Sequence, residues 1–378
     1  MAQINSGGTG GSGSIPVAWT NKYKQNWDES WKRVDAWWRC EETDRPVVFS
    51  SASKEISRHT GSFISPKNAE EAAAFDINID VKLNNARYYL ENNVFTAESV
   101  PFAYAGFANL LGLLCVQAGG KLHYDYPHTT WIVEDQNLFD KALPPLSASC
   151  NELRFILDFI KRCHKTFGFD IVLGANPMID PITTLSLMRG QENFLIDLIE
   201  REDDVMRWLK RLGEFFRQAV VSFRETRKAL GRREDYNWTG AWAPGDMDAI
   251  QCDVATMLST EMFRKFALPE AEYEASFYDY VIWHLDGTDE FRLLDDILAI
   301  PNLNAIQYVD EKGRDPLEFS HIWEKILKRK KSILFSVDSK FVLGIAKQFG
   351  PRGIAFGLRN AVNEKEMETL INKLEEIQ

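Results

Sequence analysis

Short apolar runs recur along this chain from Arg45 to the C-terminus, separated by longer stretches of helical periodicity. The runs are Pro46–Ser50, Val100–Ala105, Thr130–Glu134, Asp170–Gly174, Asn237–Ala243, Tyr280–Asp286, Ala305–Asp310, Ser332–Asp338 and Gly353–Leu358. Amphipathic stretches fill the gaps, among them Glu192–Ile199 continuing through Asp203–Arg217, then Thr260–Tyr273, Phe291–Ala299, Phe319–Leu327, Phe341–Gln348 and Glu364–Ile377. Strands separated by helices require parallel pairing and right-handed crossovers. About eight such units in one run predict an α/β fold, a (β/α)8 TIM barrel.

The barrel is expected over residues 45–378. Residues 15–44 read as an N-terminal helical extension, in which Trp27, Trp31, Val34, Trp37 and Trp38 fall on one helical face. Residues 1–14 include a Gly/Ser run without apolar side chains and read as a flexible linker or tag. The chain is 45% hydrophobic, ample for a core of that size. A net charge of −11 without a basic cluster argues against nucleic acid or an anionic membrane surface as the main partner. No apolar run reaches the roughly 20 residues that span a bilayer, and no signal peptide opens the chain. Five scattered cysteines without a CxxC spacing point to a reduced, cytoplasmic protein. Homo-oligomerisation is left open.

The chemistry-bearing residues cluster at the ends of the predicted strands. Tyr280-Val281-Ile282-Trp283-His284-Leu285-Asp286-Gly287 is an apolar strand closing in His-x-Asp-Gly. Residues two apart on a strand share a face, so His284 and Asp286 point the same way. Such a pair serves acid/base work or, with a further ligand, holds a divalent metal. Asn176, Asp253, Gln307, Tyr308, Asp310, Ser336, Asp338 and Arg359 end or follow the other strands and should converge on the same mouth. Asp338, ahead of a helical stretch, also reads as a helix cap. The aromatic segment Leu122–His128 reads as a loop. A Ser-His-Asp hydrolase is a poor fit, because no GxSxG elbow exists. There is no GxGxxG or GxxxxGK[ST] phosphate loop either.

Trp242-Ala243-Pro244-Gly245, Gln251-Cys252-Asp253, Leu258 to Phe263, Leu268-Pro269, His284-Leu285-Asp286-Gly287 and Ile300 to Gln307 run in order. In this series the chain resembles the uroporphyrinogen decarboxylase-like superfamily, which includes corrinoid-dependent methyltransferases. The resemblance implies a (β/α)8 barrel with its site at the C-terminal mouth. It departs from two branches. The arginine-rich opening loop of the porphyrinogen decarboxylases is replaced by Asp44 to Ser51. The His-x-Cys of the zinc methyltransferases becomes His284-Leu285-Asp286, and Ile354 to Arg359 lacks the later Cys.

The leading expectation is therefore a methyltransferase. It would move a methyl group from a small methoxylated or N-methyl compound to a corrinoid carried by a partner protein. His284, Asp286 and Asp253 would be its catalytic groups, with His284 and Asp286 as ligands if Zn2+ assists. Trp242, Tyr308, Tyr104, Gln307, Asn176 and Arg359 would bind substrate. The alternatives are a cofactor-free decarboxylase or lyase, with Arg359 holding a carboxylate, and a non-catalytic ligand-binding barrel.

Overall fold

Six apolar runs pair into one sheet in the spatial order Val47–Val48, Ile354–Leu358, Ser332–Val337, Leu303–Val309, Tyr280–Asp286 and Met247–Ile250. Every pairing in it is parallel. The computed structural model that shows this describes residues 19–55, 62–146, 150–174, 178–310 and 312–377. The Gly/Ser-rich start of the chain lies outside these residues.

Side-chain alternation divides the sheet cleanly. Val47, Ile282, Ala305, Leu334 and Ala355 lie on one face, in a core shared with Val100, Val172, Tyr236 and the Trp27–Trp38 helix. Val48, Trp283, Ile306, Tyr308, Phe335 and Phe356 lie on the other, packed against the helical layer. Burial on both faces explains why these strands are almost continuously apolar. On the first side, Phe102–Tyr104 pairs in parallel with Val172–Gly174. Asp235–Tyr236 pairs antiparallel with Trp242–Ala243.

Three expectations about strands are corrected. Asn237–Ala243 is not one strand. Gly240, with φ of 88°, turns the chain there, and only glycine takes that conformation cheaply. Thr130–Glu134 stands outside the parallel set. Its strand, Thr129–Val133, pairs antiparallel with Lys121–Asp125, so the segment read as an aromatic loop is half of a hairpin. Met247–Ile250 was not anticipated as a strand; it carries Asp248 amid apolar neighbours.

The Trp27–Trp38 helix buries its predicted Trp face and covers the N-terminal ends of the sheet strands. Trp37 Nε1 donates to Ile333 O at 3.4 Å, and the Trp38 ring lies 5.1 Å from that of Tyr280. Asp28 and Glu29 in its first turn suit the positive end of the helix dipole. Glu98, fully buried, ties the first strand to this end. Its carboxylate accepts from both terminal nitrogens of Arg45 at 2.9 Å, from Val48 N at 2.9 Å and from Arg33 at 3.2 Å. A buried carboxylate persists only with such complete pairing. Among the described residues, no helix is long and apolar enough to cross a membrane.

Candidate active site

His284 and Gln307 stand opposite one another on adjacent parallel strands. Both point to the face shared with Ile282 and Ala305, as period-2 alternation requires. His284 Nδ1 and Gln307 Oε1 are 2.7 Å apart, and Gln307 Nε2 donates to Ser336 Oγ at 2.7 Å. With the amide nitrogen committed to Ser336, the amide oxygen can only accept. His284 therefore carries its proton on Nδ1 and leaves the Nε2 lone pair free. Burial lowers the imidazole below its ordinary value of 6.5, while Gln307 and the charge of Asp286 act in the opposite direction. At neutral pH the ring is uncharged. Trp238 stands edge-on against it, with ring centroids 4.8 Å apart.

On the other side of this chain of hydrogen bonds lies a cavity of about 480 Å³. It sits at the C-terminal ends of the strands, opposite the tryptophan helix. Ser336, Gly357 and Arg359 form one wall; Phe49, Phe102, Tyr236 and Trp238 supply aromatic surface. Ser336 Oγ already accepts from Gln307, so its own proton is free to be donated into the cavity. Gly357 leaves room there, because a Cβ at that position would sit 3.6 Å from Ser336 Oγ. Ser51 Oγ and Tyr89 OH, 2.6 Å apart, add a second hydroxyl pair to the lining.

A group of carboxyls lies around Asp286, and none of them lines the cavity. Burial, and then the charge of Asp286, push Asp253 up to about 6. Asp253 accepts from Gln251 Nε2 at 2.9 Å. Burial, and then Asp253, push Asp180 up to about 8. Asp180 caps the Pro181–Arg189 helix through Oδ1, while its Oδ2 has no hydrogen-bond partner among the described residues. Burial also raises Glu290 to about 8, although it accepts from Trp283 Nε1 at 3.0 Å. Asp286 itself is exposed.

The remaining expected site residues fall in several places. Arg359 lines the cavity and donates to Asp310 O at 2.9 Å. Tyr104 instead borders a separate recess of about 250 Å³ with Lys82 and Asn85. Asn176 lies outside the described residues. The placement of Tyr104 is a correction, and two more follow. Tyr308 neighbours Gln307 on its strand and so must face the opposite way; it packs on Trp323 and Phe291 in the helical layer. Trp242 is fully buried against Trp19, Trp27 and Trp31 and donates to Glu98 O at 2.8 Å, away from the cavity. Trp238, not singled out from the sequence, takes the pocket position instead. Its signal was the glycine two residues later, which turns the chain and lays Trp238 across the site. Asp338 precedes its helix without a side-chain cap; Asn360 Oδ1 accepts from Ser339 N at 2.7 Å in its place.

The donor set for zinc is incomplete. His284 offers Nε2 and Asp286 a carboxylate. Among the described residues, no group of three or more His, Cys, Asp or Glu side chains is placed to hold a metal ion.

The fold is similar to that of a methyltransferase from Methanosarcina mazei. The match covers 91% of this chain and 97% of that one, with a TM-score of 0.57 and 16% sequence identity. Likeness at that identity establishes the α/β fold. No family model matches the chain, and no curated protein matches it.

Proposed function

We propose that this chain is a methyltransferase that removes a methyl group from a small methoxylated or N-methyl compound and delivers it to a corrinoid carried by a partner protein. The observation that carries the reading is the directed series His284–Gln307–Ser336, which ends in a hydroxyl that lines a cavity. The likeness to a methyltransferase fold supports it.

In this reading the methyl–oxygen bond breaks and its electron pair stays on the substrate oxygen. A reduced corrinoid would supply the nucleophile that takes the methyl group, and its carrier would have to present it at the mouth of the cavity. Ser336 donates to the oxygen on which charge develops, the kind of preorganised donor that lowers such barriers. An amide does not pass protons readily, so Gln307 polarises and positions Ser336, and His284 is a positioning residue behind it. Asp253, raised to about 6 by burial and then by the charge of Asp286, lies outside the cavity lining and is mostly ionised at neutral pH.

We further propose that the sheet closes into a (β/α)8 barrel of the uroporphyrinogen decarboxylase-like type. Glu98 N donates to Val48 O at 3.2 Å at one edge, and Met247 N reaches Asp235 Oδ2 at 3.5 Å at the other. These contacts support joining the sheet to the short strands between its edges.

The experiment mixes the protein with a carrier loaded with reduced corrinoid and a panel of methoxylated and N-methyl compounds. The expected result is the absorption change of corrinoid methylation with at least one of them. Carbon dioxide release from a carboxylated compound, with no methyl transfer across the panel, makes this a decarboxylase instead.

A further inference from the structure

We propose that the cavity beside Ser336 selects a planar aromatic monocarboxylate, held by its carboxylate at Arg359 with an oxygen substituent at the opposite end of the ring against Ser336. This deepens the methyltransferase reading and rests on it for the identity of the reacting oxygen.

Charge is the first argument. The chain carries a net charge of −11, yet among the described residues the cavity lining contains no Asp or Glu and one charged side chain, Arg359. That guanidinium is exposed, and its bond within the protein runs from Nη1 to a backbone carbonyl, Asp310 O. Among the described residues no carboxylate pairs with it. Its other nitrogens are available in the fork geometry that matches a carboxylate. A guanidinium facing a recess in an otherwise acidic protein is poised for an anionic ligand.

Shape is the second. Arg359 follows Gly357 by two residues, and Gly357 stands opposite Ser336 on the neighbouring strand. Arg359 N donates to Val337 O at 3.0 Å, so the sheet pairing continues to this point. Arg359 and Ser336 therefore share a face, offset by about 6.6 Å along the strands. That is the spacing of their backbone positions; with the reach of the arginine side chain, a six-membered ring with a substituent at each end can touch both groups. Phe49, Trp238 and the stacked pair Phe102–Tyr236, with centroids 4.0 Å apart, wall the space between. Flat aromatic walls favour a flat, polarisable ligand over a puckered one of equal volume.

Polarity is the third. At the inner end the free proton of Ser336 meets an ether or phenol oxygen. The carboxyl groups with raised pKa lie outside the lining and do not repel the anion from within.

The test is calorimetric titration of the intact protein, without corrinoid, with 4-methoxybenzoate, 4-methoxybenzyl alcohol and 4-methoxycyclohexanecarboxylate. The aromatic acid should bind, and the other two should bind at least tenfold more weakly. Arg359→Gln, at an exposed position and checked for folding by circular dichroism, should weaken the aromatic acid roughly tenfold to a hundredfold. It should leave the alcohol unchanged. Binding of the alcohol or the cyclohexane acid as tight as that of the aromatic acid overturns the proposal. So does no binding of 4-methoxybenzoate, or an Arg359→Gln variant that binds it undiminished. Because the titration needs no methyl acceptor, these outcomes are separate from success or failure of methyl transfer.

Discussion

The Trp238 ring meets the His284 imidazole edge-on, at 4.8 Å between centroids and 78° between planes, and separates that imidazole from the cavity. The indole therefore helps to hold the histidine neutral, while the hydrogen bond to Gln307 fixes which nitrogen is protonated. At pH 7, nitrogen-detected NMR of the imidazole should find His284 uncharged with its proton on Nδ1. Its titration midpoint should lie below 6.5. A proton on Nε2 instead would reverse the direction of the whole chain.

Ser336 and Gln307 should act as a unit. Ser336→Ala removes the donor to the substrate oxygen and should lower the methyl-transfer rate constant on the order of 10²-fold. Gln307→Leu should lower it in the same direction. The double variant should be no worse than Ser336→Ala alone, because members of one chain are not additive. Additive losses in the double-mutant cycle would show that the two residues work independently.

Asp180 gives the chain a pH signature. Its folded value of about 8 lies far above the ordinary 3.8. A carboxyl raised in this way contributes stability that is fully present below about pH 4 and is lost as pH rises towards 8. Asp180→Asn keeps an oxygen to accept from Thr183 N, at 2.7 Å in the parent, and asparagine is a good helix cap. Across pH 5 to 8 the variant should gain on the parent by up to about 1.4 kcal/mol per pH unit. Chemical denaturation at several pH values reads this directly. A stability difference flat across that range would mean that Asp180 is ionised in the folded protein.

Arg45 and Glu98 test the closed end of the molecule. Arg45→Met leaves the fully buried Glu98 with one arginine, Arg33, and should cost about 3 kcal/mol. Arg45→Met with Glu98→Gln should recover part of that loss. Urea unfolding of the three proteins settles the comparison, and an unaltered midpoint for the single variant would refute it.

The architecture was legible where one physical signal dominates. Tyr280–Asp286 has the predicted bounds because its apolar run is uninterrupted. The tryptophan face of the N-terminal helix is buried as its spacing demands. The site was legible in part. Period-2 alternation places His284 and Gln307 together, but the same rule forbids Gln307 and Tyr308 from facing one pocket. An aromatic beside a polar residue looks like a binding site in one dimension and is half core in three. Trp242 misled in a similar way, since a tryptophan near a strand end fills a core as readily as it walls a pocket. Ser336 was visible as a polar strand-end residue. Its partnership with Gln307 depends on which strands are neighbours, and that information is absent from either segment alone.

The tryptophan helix that covers the N-terminal ends of the strands also sets the traffic of the molecule. With that end filled by Trp27, Trp31, Trp37 and Trp38, a ligand reaches the cavity from the side where the strands end. A small molecule at Ser336 is trapped beneath anything large that docks on the rim. In the proposed transfer the smaller partner would then arrive first and the larger depart first, an order set by the shape of the molecule rather than by relative affinities.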